Sequence, residues 1–197
     1  MKFEKVPRAK LPTRLGGFTV YAFRHPETGE EAVALVAGDI SADAAVLVRI
    51  HSQCLTGDVF ASDRCDCGDQ LHEAMRLITA NGSGVLVYQQ QEGRGIGLLN
   101  KILAYELQDQ GMDTVDANLE LGFEADQRDY LFPAEILKYL GAMRIRLLSN
   151  NPDKVLGLER EGIRVEECVA LEIAPNSSTH DYLKIKKEKL GHLLSNI

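Results

Sequence analysis

No apolar run in this 197-residue chain approaches the ~20 residues needed to span a bilayer, which argues against a membrane protein. The amino terminus, MKFEKVPRAKLPT, has basic residues but lacks an apolar segment, so no signal peptide is expected and the cytoplasm is the default location. Basic residues are outnumbered: the net charge of −7 argues against a generic nucleic-acid polymer binder, which would show a basic face or stripe. A local Arg/Lys cluster can still take a small anion. The five histidines form no H-x-x-x-H pair. There is no Walker P-loop, no G-x-G-x-x-G fingerprint, no internal repeat and no low-complexity segment. No linker marks a boundary, so residues 1–197 are expected to form a single domain. Four cysteines, three of them crowded together, point to metal chemistry in a reducing compartment rather than to a disulfide framework.

What is present is concentrated in RIHSQCLTGDVFASDRCDCGDQL (49–71). Cys54, Cys65 and Cys67 form a C-x10-C-x-C pattern. Thiolates are soft ligands suited to zinc; four close a structural site, and three leave a position for a reactive water. The count favours an open, catalytic site. The alternative is a structural zinc with Cys168, His51 or His72 as fourth ligand, although Cys168 falls in an expected strand and reads as a small buried core residue.

The chain order points to an α/β protein with a mixed, partly parallel sheet, a β-rich amino-terminal region and flanking helices. GFTVYAFR (17–24) and EAVALV (31–36) flank a Pro/Gly turn and read as a hairpin. AVLVRI (45–50) and GVLVY (84–88) read as buried strands. His51 to Cys67 reads as a long loop, a length usually reserved for function. In the next segment Leu71, Ala74, Met75 and Ile78 fall on one helical face. Strand, EGRGIG (92–97) and a helix bearing Leu98, Ile102, Tyr105 and Leu107 follow in the order of an anion site, with glycines for close approach and free N–H groups at the helix start. That turn is a common one in isolation; Arg94, with its fork of donors, strengthens the phosphate reading. A short helix is expected between Met112 and Tyr130. PAEILKYLG (133–141) reads as a helix, and RIRLLS, VLGLEREG and IRVEECVAL as a strand–helix–strand unit that requires some parallel pairing. On residue type alone, Asp126, Arg128 and Asp129 are candidates for acid–base or oxyanion roles, with a solvated charged turn the better reading; Tyr105 reads as core packing and KIKKEK (184–189) as a solvated helix face.

Taken together, RIHSQCLTGD…DRCDCGDQL, QEGRGIGLLNKILAYELQDQG, DANLELGFEADQRDY, LLSNNPDK and KLGHLL closely resemble GTP cyclohydrolase II, from about Leu11 to the carboxy terminus. The resemblance implies hydrolytic opening of the guanine imidazole ring at C8, with release of formate and pyrophosphate. The product would be 2,5-diamino-6-(ribosylamino)pyrimidin-4-one 5′-phosphate, in the first step of riboflavin biosynthesis. It implies one zinc per chain on Cys54, Cys65 and Cys67, Mg2+ with the triphosphate, and a homodimer. By the same resemblance Arg49, Ile50, His51, Ser52, Gln53, Gln70, Glu92, Gly93, Arg94, Thr114, Ser149 and Lys154 would contact GTP. Tyr105 would sit beside the opening ring, Asp126 would accept a proton, and Arg128 would act toward the α-phosphorus. A guanidinium has no lone pair of useful basicity, so charge stabilisation is the easier role for Arg128. The chain departs from the family pattern at Gln53 (usually Glu), Gln90 (usually Arg) and Ser149 (commonly Thr). Two other readings follow: a paralogue that stops at the formamidopyrimidine or takes a related purine nucleotide, and a GTP-binding zinc protein without turnover.

Overall fold

The computed structural model describes residues 3–41, 44–175, 179–195 and 197. The chain divides into two compact units. The first comprises residues 1–51, 71–90 and 129–171, and the second residues 52–70, 91–128 and 172–197.

The first unit is built on a mixed seven-stranded sheet in the order β1-β2-β3-β5-β4-β6-β7. Its strands are β1 (Arg8–Thr13), β2 (Gly16–Arg24), β3 (Glu31–Ala37), β4 (Val46–Ser52), β5 (Gly84–Gln89), β6 (Arg144–Leu148) and β7 (Arg164–Val169). β1–β2, β2–β3 and β3–β5 pair antiparallel, while β4–β6 and β6–β7 pair parallel. The expected mixed α/β architecture is therefore present. β1 escaped the sequence reading because RAKLPT carries a proline and two cations and is largely exposed at the sheet edge, where pairing rather than side-chain burial defines it.

Central strands alternate two apolar faces, as a period-2 backbone requires. Val46, Val48 and Ile50 of β4, with Val85 and Val87 of β5 and Ile145 and Leu147 of β6, join one core. That core also takes Phe132, Ile136 and Leu137 of α5 (Leu131–Tyr139) and Leu158 of α6 (Pro152–Arg160). Leu47, Leu86 and Leu148 point to the other face, against Ala74 and Ile78 of the helix Cys67–Ala80 (α2). Burial on both faces explains why these strands read as continuous apolar runs. Each large aliphatic side chain so buried contributes roughly 1.5–3 kcal/mol.

The second unit contains α1 (Leu55–Asp58), the first turn of α2, a 3-10 turn at Glu92–Gly95, α3 (Gly97–Asp109), α4 (Thr114–Glu120) and α7 (His180–Leu190). α1 corrects the loop expected from His51 to Cys67. His51 and Ser52 continue β4, and the one-turn helix forms around Gly57 between the first and second cysteines. α3 corrects the apolar stripe. Its buried residues are Lys101 and Ala104, whereas Leu98 and Ile102 are each 41% exposed. No helix among the described residues is long and apolar enough to cross a membrane.

Candidate metal centre and anion sites

The cysteines of the second unit converge. The sulfurs of Cys54, Cys65 and Cys67 all lie within 4.8 Å of one another, with Cys54 and Cys65 3.6 Å apart. Two glycines make this possible. A Cβ on Gly57 would stand 3.0 Å from the Cys65 sulfur and 3.3 Å from that of Cys54, and one on Gly68 would stand 2.4 Å from the Gly57 carbonyl oxygen. The α1 turn and the start of α2 thus touch backbone to backbone, and the sulfurs close over the contact. Gly68→Ala is expected to force this contact open. It should weaken metal binding at least about tenfold with the circular dichroism of the sheet unchanged; metal titration of the variant checks it.

Hydrogen bonds from the Cys65 and Cys67 thiols pull the Cys54 thiol far below the usual thiol range, with the Lys101 ammonium adding to the effect. The reciprocal bonds and burial push Cys65 and Cys67 up. Three soft sulfurs at this spacing fit a zinc ion in donor type and number. Cys168 is not among them. It is exposed on β7, its thiol donating to the Ser149 carbonyl at 3.1 Å, which corrects the expectation of a buried core cysteine.

Around the sulfurs lies a polar network that the sequence reading missed. Lys101 donates to Cys54 Sγ (3.2 Å), Thr56 Oγ1 (3.1 Å) and Glu92 Oε1 (2.7 Å). Glu92 in turn accepts from the backbone N–H of Leu55 (2.7 Å) and Gly93 (3.0 Å). The Tyr105 hydroxyl is 3.3 Å from Thr56 Oγ1, so Tyr105 is tied to the residue two beyond the first cysteine rather than simply packed. The Arg64 guanidinium covers its ring at 4.7 Å from the centroid. The available signal for Lys101 was its four-residue spacing from Tyr105 on one helical face; it was obscured by the neighbouring leucines.

Asp66, between the second and third cysteines, is buried and accepts from Lys186 of α7 at 2.7 Å and from Gln70 at 2.5 Å. Lys186 also lies 4.4 Å from the Tyr182 ring centroid, and Lys189 pairs with Asp113 and Asp116. The KIKKEK run is thus mostly exposed, as expected of a solvated face, with Lys186 the buried exception. Burial opposes ionisation of Asp66, but Lys186 and Gln70 outweigh it and its pKa is lowered; burial likewise opposes the charge on Lys186, yet Tyr182 and Asp66 raise its pKa. The lowered carboxyl contributes stability above its unfolded value of about 4, lost as pH falls through the folded value. The raised ammonium contributes below about 10.4, lost as pH rises through its folded value. The pair thus stabilises throughout the neutral range. Lys186→Met is expected to cost about 3–5 kcal/mol by stranding Asp66, and Asp66→Asn combined with Lys186→Met distinctly less; thermal denaturation of the single and double variants checks it.

Asp126 and Arg128 meet in a forked pair. Arg128 Nε donates to both carboxylate oxygens at 2.8 and 3.1 Å, Nη2 donates to Oδ2, and the Arg128 backbone N–H donates at 3.1 Å. Their side chains are 25% and 13% exposed, which removes the solvated-turn reading for these two, while Asp129 is exposed as that reading expects. Burial opposes ionisation of Asp126, but the bonds and charge of Arg128 and the charge of Arg94 lower its pKa. Arg94 and Gly93 adopt left-handed φ of 62° and 63°, and the Arg94 carbonyl accepts from Gln127 N–H at 3.0 Å. The expected Gly-rich anion turn is thereby fastened to the Asp126–Arg128 loop. Arg94 Nη1 is buried with no hydrogen-bond partner among the described residues, an arrangement suited to an incoming anion. Thr114 begins α4, capped by Asp113. Ser52, the last residue of β4, and Gln53 belong to the second unit with Cys54.

Arg49, Ile50, His51, Ser149 and Lys154 belong to the first unit, at the carboxy-terminal ends of β4 and β6 and the start of α6. Arg49 Nη1 donates to the Leu148 carbonyl and Lys154 Nζ to the Ile50 carbonyl, each at 2.9 Å. Ser149 Oγ accepts from Asn151 N–H at 3.0 Å, and His51 stacks on Tyr88 with centroids 5.5 Å apart. Strand ends of this kind are where open α/β sheets bind ligands. Gln90, exposed, lines a cleft of about 500 Å³ in this unit with Phe23, His25 and Tyr88.

Fold and site together define an α/β protein with a candidate three-thiol metal centre and buried, paired cations. The family model described as GTP cyclohydrolase II matches residues 4–170, and the chain belongs to that family. The riboflavin biosynthesis protein RibBA of Parabacteroides distasonis is 54% identical over 187 residues, covering 95% of this chain and 46% of that protein. RibBA of Aquifex aeolicus is 53% identical over 191 residues, covering 96% and 47%. GTP cyclohydrolase-2 of Histophilus somni is 51% identical over 193 residues, covering 98% and 89%. The chain thus spans about half the length of the RibBA relatives and most of the Histophilus protein.

Proposed function

We propose that this chain hydrolyses GTP in riboflavin biosynthesis, opening the imidazole ring at C8 and releasing formate and pyrophosphate to leave 2,5-diamino-6-(ribosylamino)pyrimidin-4-one 5′-phosphate. The observation that carries the reading is the convergence of Cys54, Cys65 and Cys67 within 4.8 Å, with Tyr105 tied by its hydroxyl to Thr56 beside them. Cys54, Cys65 and Cys67 would hold one zinc ion. Zinc bound there supplies Lewis-acid activation of water for attack on an electron-poor carbon.

The remaining chemistry belongs to the protein's own groups. Tyr105, with burial raising its pKa, stays a phenol at neutral pH, able to donate a hydrogen bond to a ring nitrogen or position a water. Arg94 and Arg128 offer guanidinium forks to the triphosphate, with Mg2+ accompanying its oxygens. Asp126 orients Arg128; its lowered pKa makes it a poor proton acceptor while that pair is intact. Of the residues assigned to GTP by resemblance, Arg49, Ile50, His51, Ser149 and Lys154 belong to the first unit. Ser52, Gln53, Gln70, Glu92, Gly93, Arg94 and Thr114 belong to the second. We propose that both units serve one catalytic domain over residues 1–197. A homodimer is part of the same reading, supported by exposed Leu98, Leu99, Ile102 and Leu103 on α3. So is a reducing cytoplasmic location, which would keep the cysteines available to metal.

The test incubates the purified chain with GTP, Zn2+ and Mg2+ and assays formate, pyrophosphate and the diaminopyrimidine chromophore separately. All three are expected. A formylated product would replace this reading by the truncated reaction, and GTP binding without any product by a sensor.

A further inference from the structure

We propose that Lys101 is a positioning residue of the three-cysteine centre, its ammonium fixing the Cys54 sulfur and drawing electron density from it, so that it sets how strongly a bound metal polarises its substrate. The inference rests on the metal reading above and adds a residue to which that reading assigns nothing.

Lys101 is buried, and an ammonium has three donors. All three have protein acceptors: Cys54 Sγ, Thr56 Oγ1 and Glu92 Oε1. The other Glu92 oxygen accepts from the N–H of Leu55, the residue after Cys54. A closed ring results, running from Cys54 through Leu55 and Glu92 to Lys101 and back to the sulfur. An ion pair serving only to neutralise Glu92 would need one of these donors. The other two are spent on a candidate metal ligand and on the threonine that also meets Tyr105. Three thiolates around a divalent cation carry one net negative charge, so a buried ammonium at 3.2 Å from one of them offsets charge that would otherwise quench the metal's Lewis acidity. Lys101 touches no reacting atom in this account. It acts through Cys54.

Cobalt(II) substitution reads this directly, because the sulfur-to-cobalt charge-transfer absorption depends on how tightly the sulfur holds its electrons. The full chain is loaded with Co2+ alone, and zinc affinity is measured by chelator competition. Wild type is expected to bind one metal per chain with thiolate-to-cobalt absorption. Lys101→Met should move that absorption to longer wavelength and weaken zinc about 10–100-fold. Lys101→Arg, which keeps the charge, should restore the wild-type band position. An unmoved band in Lys101→Met, whatever its affinity, overturns the proposal and leaves the metal reading standing. A wild-type chain that takes up neither metal overturns both. If Lys101→Met proves unfolded by circular dichroism, Lys101→Arg decides: a band coincident with wild type supports the charge role, and a displaced one overturns it.

Discussion

Cys54→Ser, Cys65→Ser and Cys67→Ser are each expected to lose the bound metal and at least about a thousandfold of formate release, the largest effect of any single substitution in the chain. Serine keeps the volume of cysteine but replaces a soft thiolate by a hydroxyl that does not ionise at neutral pH. With three sulfurs within 4.8 Å, losing one leaves two, too few to define a site. Cys168→Ser serves as the control. Its sulfur is exposed on β7, so metal content should stay at one per chain. Metal analysis of the four variants separates the readings: if Cys168→Ser also loses the metal, the site is a closed four-thiolate structural centre and the catalytic reading fails. If Cys54→Ser retains metal and turnover, Cys54 is not a ligand and the three-cysteine centre fails.

Much of this centre was legible beforehand because metal chemistry needs rare residues at tight spacing, and C-x10-C-x-C leaves few alternatives. The central sheet was legible for a different reason. β4 and β5 are buried on both faces, so runs such as VLV carry the signal themselves. α3 shows where such reasoning breaks. Leu98 and Ile102 imply a core face, yet the buried side carries Lys101 and Ala104. A polar network, unlike a hydrocarbon core, can bury a lysine when every donor finds an acceptor, and pattern reading assigns the buried face to whichever side is apolar. The same fault hid Lys186. Its partner Asp66 lies 120 residues away, a pairing that only the folded chain reveals. The EADQRDY segment failed in the opposite sense, since by composition it is a solvated turn. Partial burial of Asp126 and Arg128 in a forked ion pair sets those two apart from the exposed residues around them.

That pair carries the second large prediction. Arg128→Lys is expected to reduce pyrophosphate release about 100–1,000-fold, the loss typical when one preorganised electrostatic donor is removed from a transition state. Lysine keeps the charge, so any loss reports the guanidinium fork. Nε and Nη2 of Arg128 face Asp126, so the carboxylate holds the plane of the guanidinium, a planar orientation that an ammonium cannot reproduce. Asp126→Asn should accordingly lose less than Arg128→Lys, because an amide can still accept from Nε although it cannot counter the charge. The pH dependence follows from the lowered pKa of Asp126. Its charge, and the stability contributed by the pair, are complete above the unfolded value of about 4 and disappear only as pH falls through the lower folded value. Activity governed by this pair should therefore show no acid limb near neutrality. A limb between pH 6 and 7 that vanished in Asp126→Asn would mean that Asp126 leaves its arginine and acts as a base in the complex with substrate. Near-normal pyrophosphate release by Arg128→Lys would dispose of both the fork and covalent attack by the guanidinium, leaving Arg128 as a bulk positive charge.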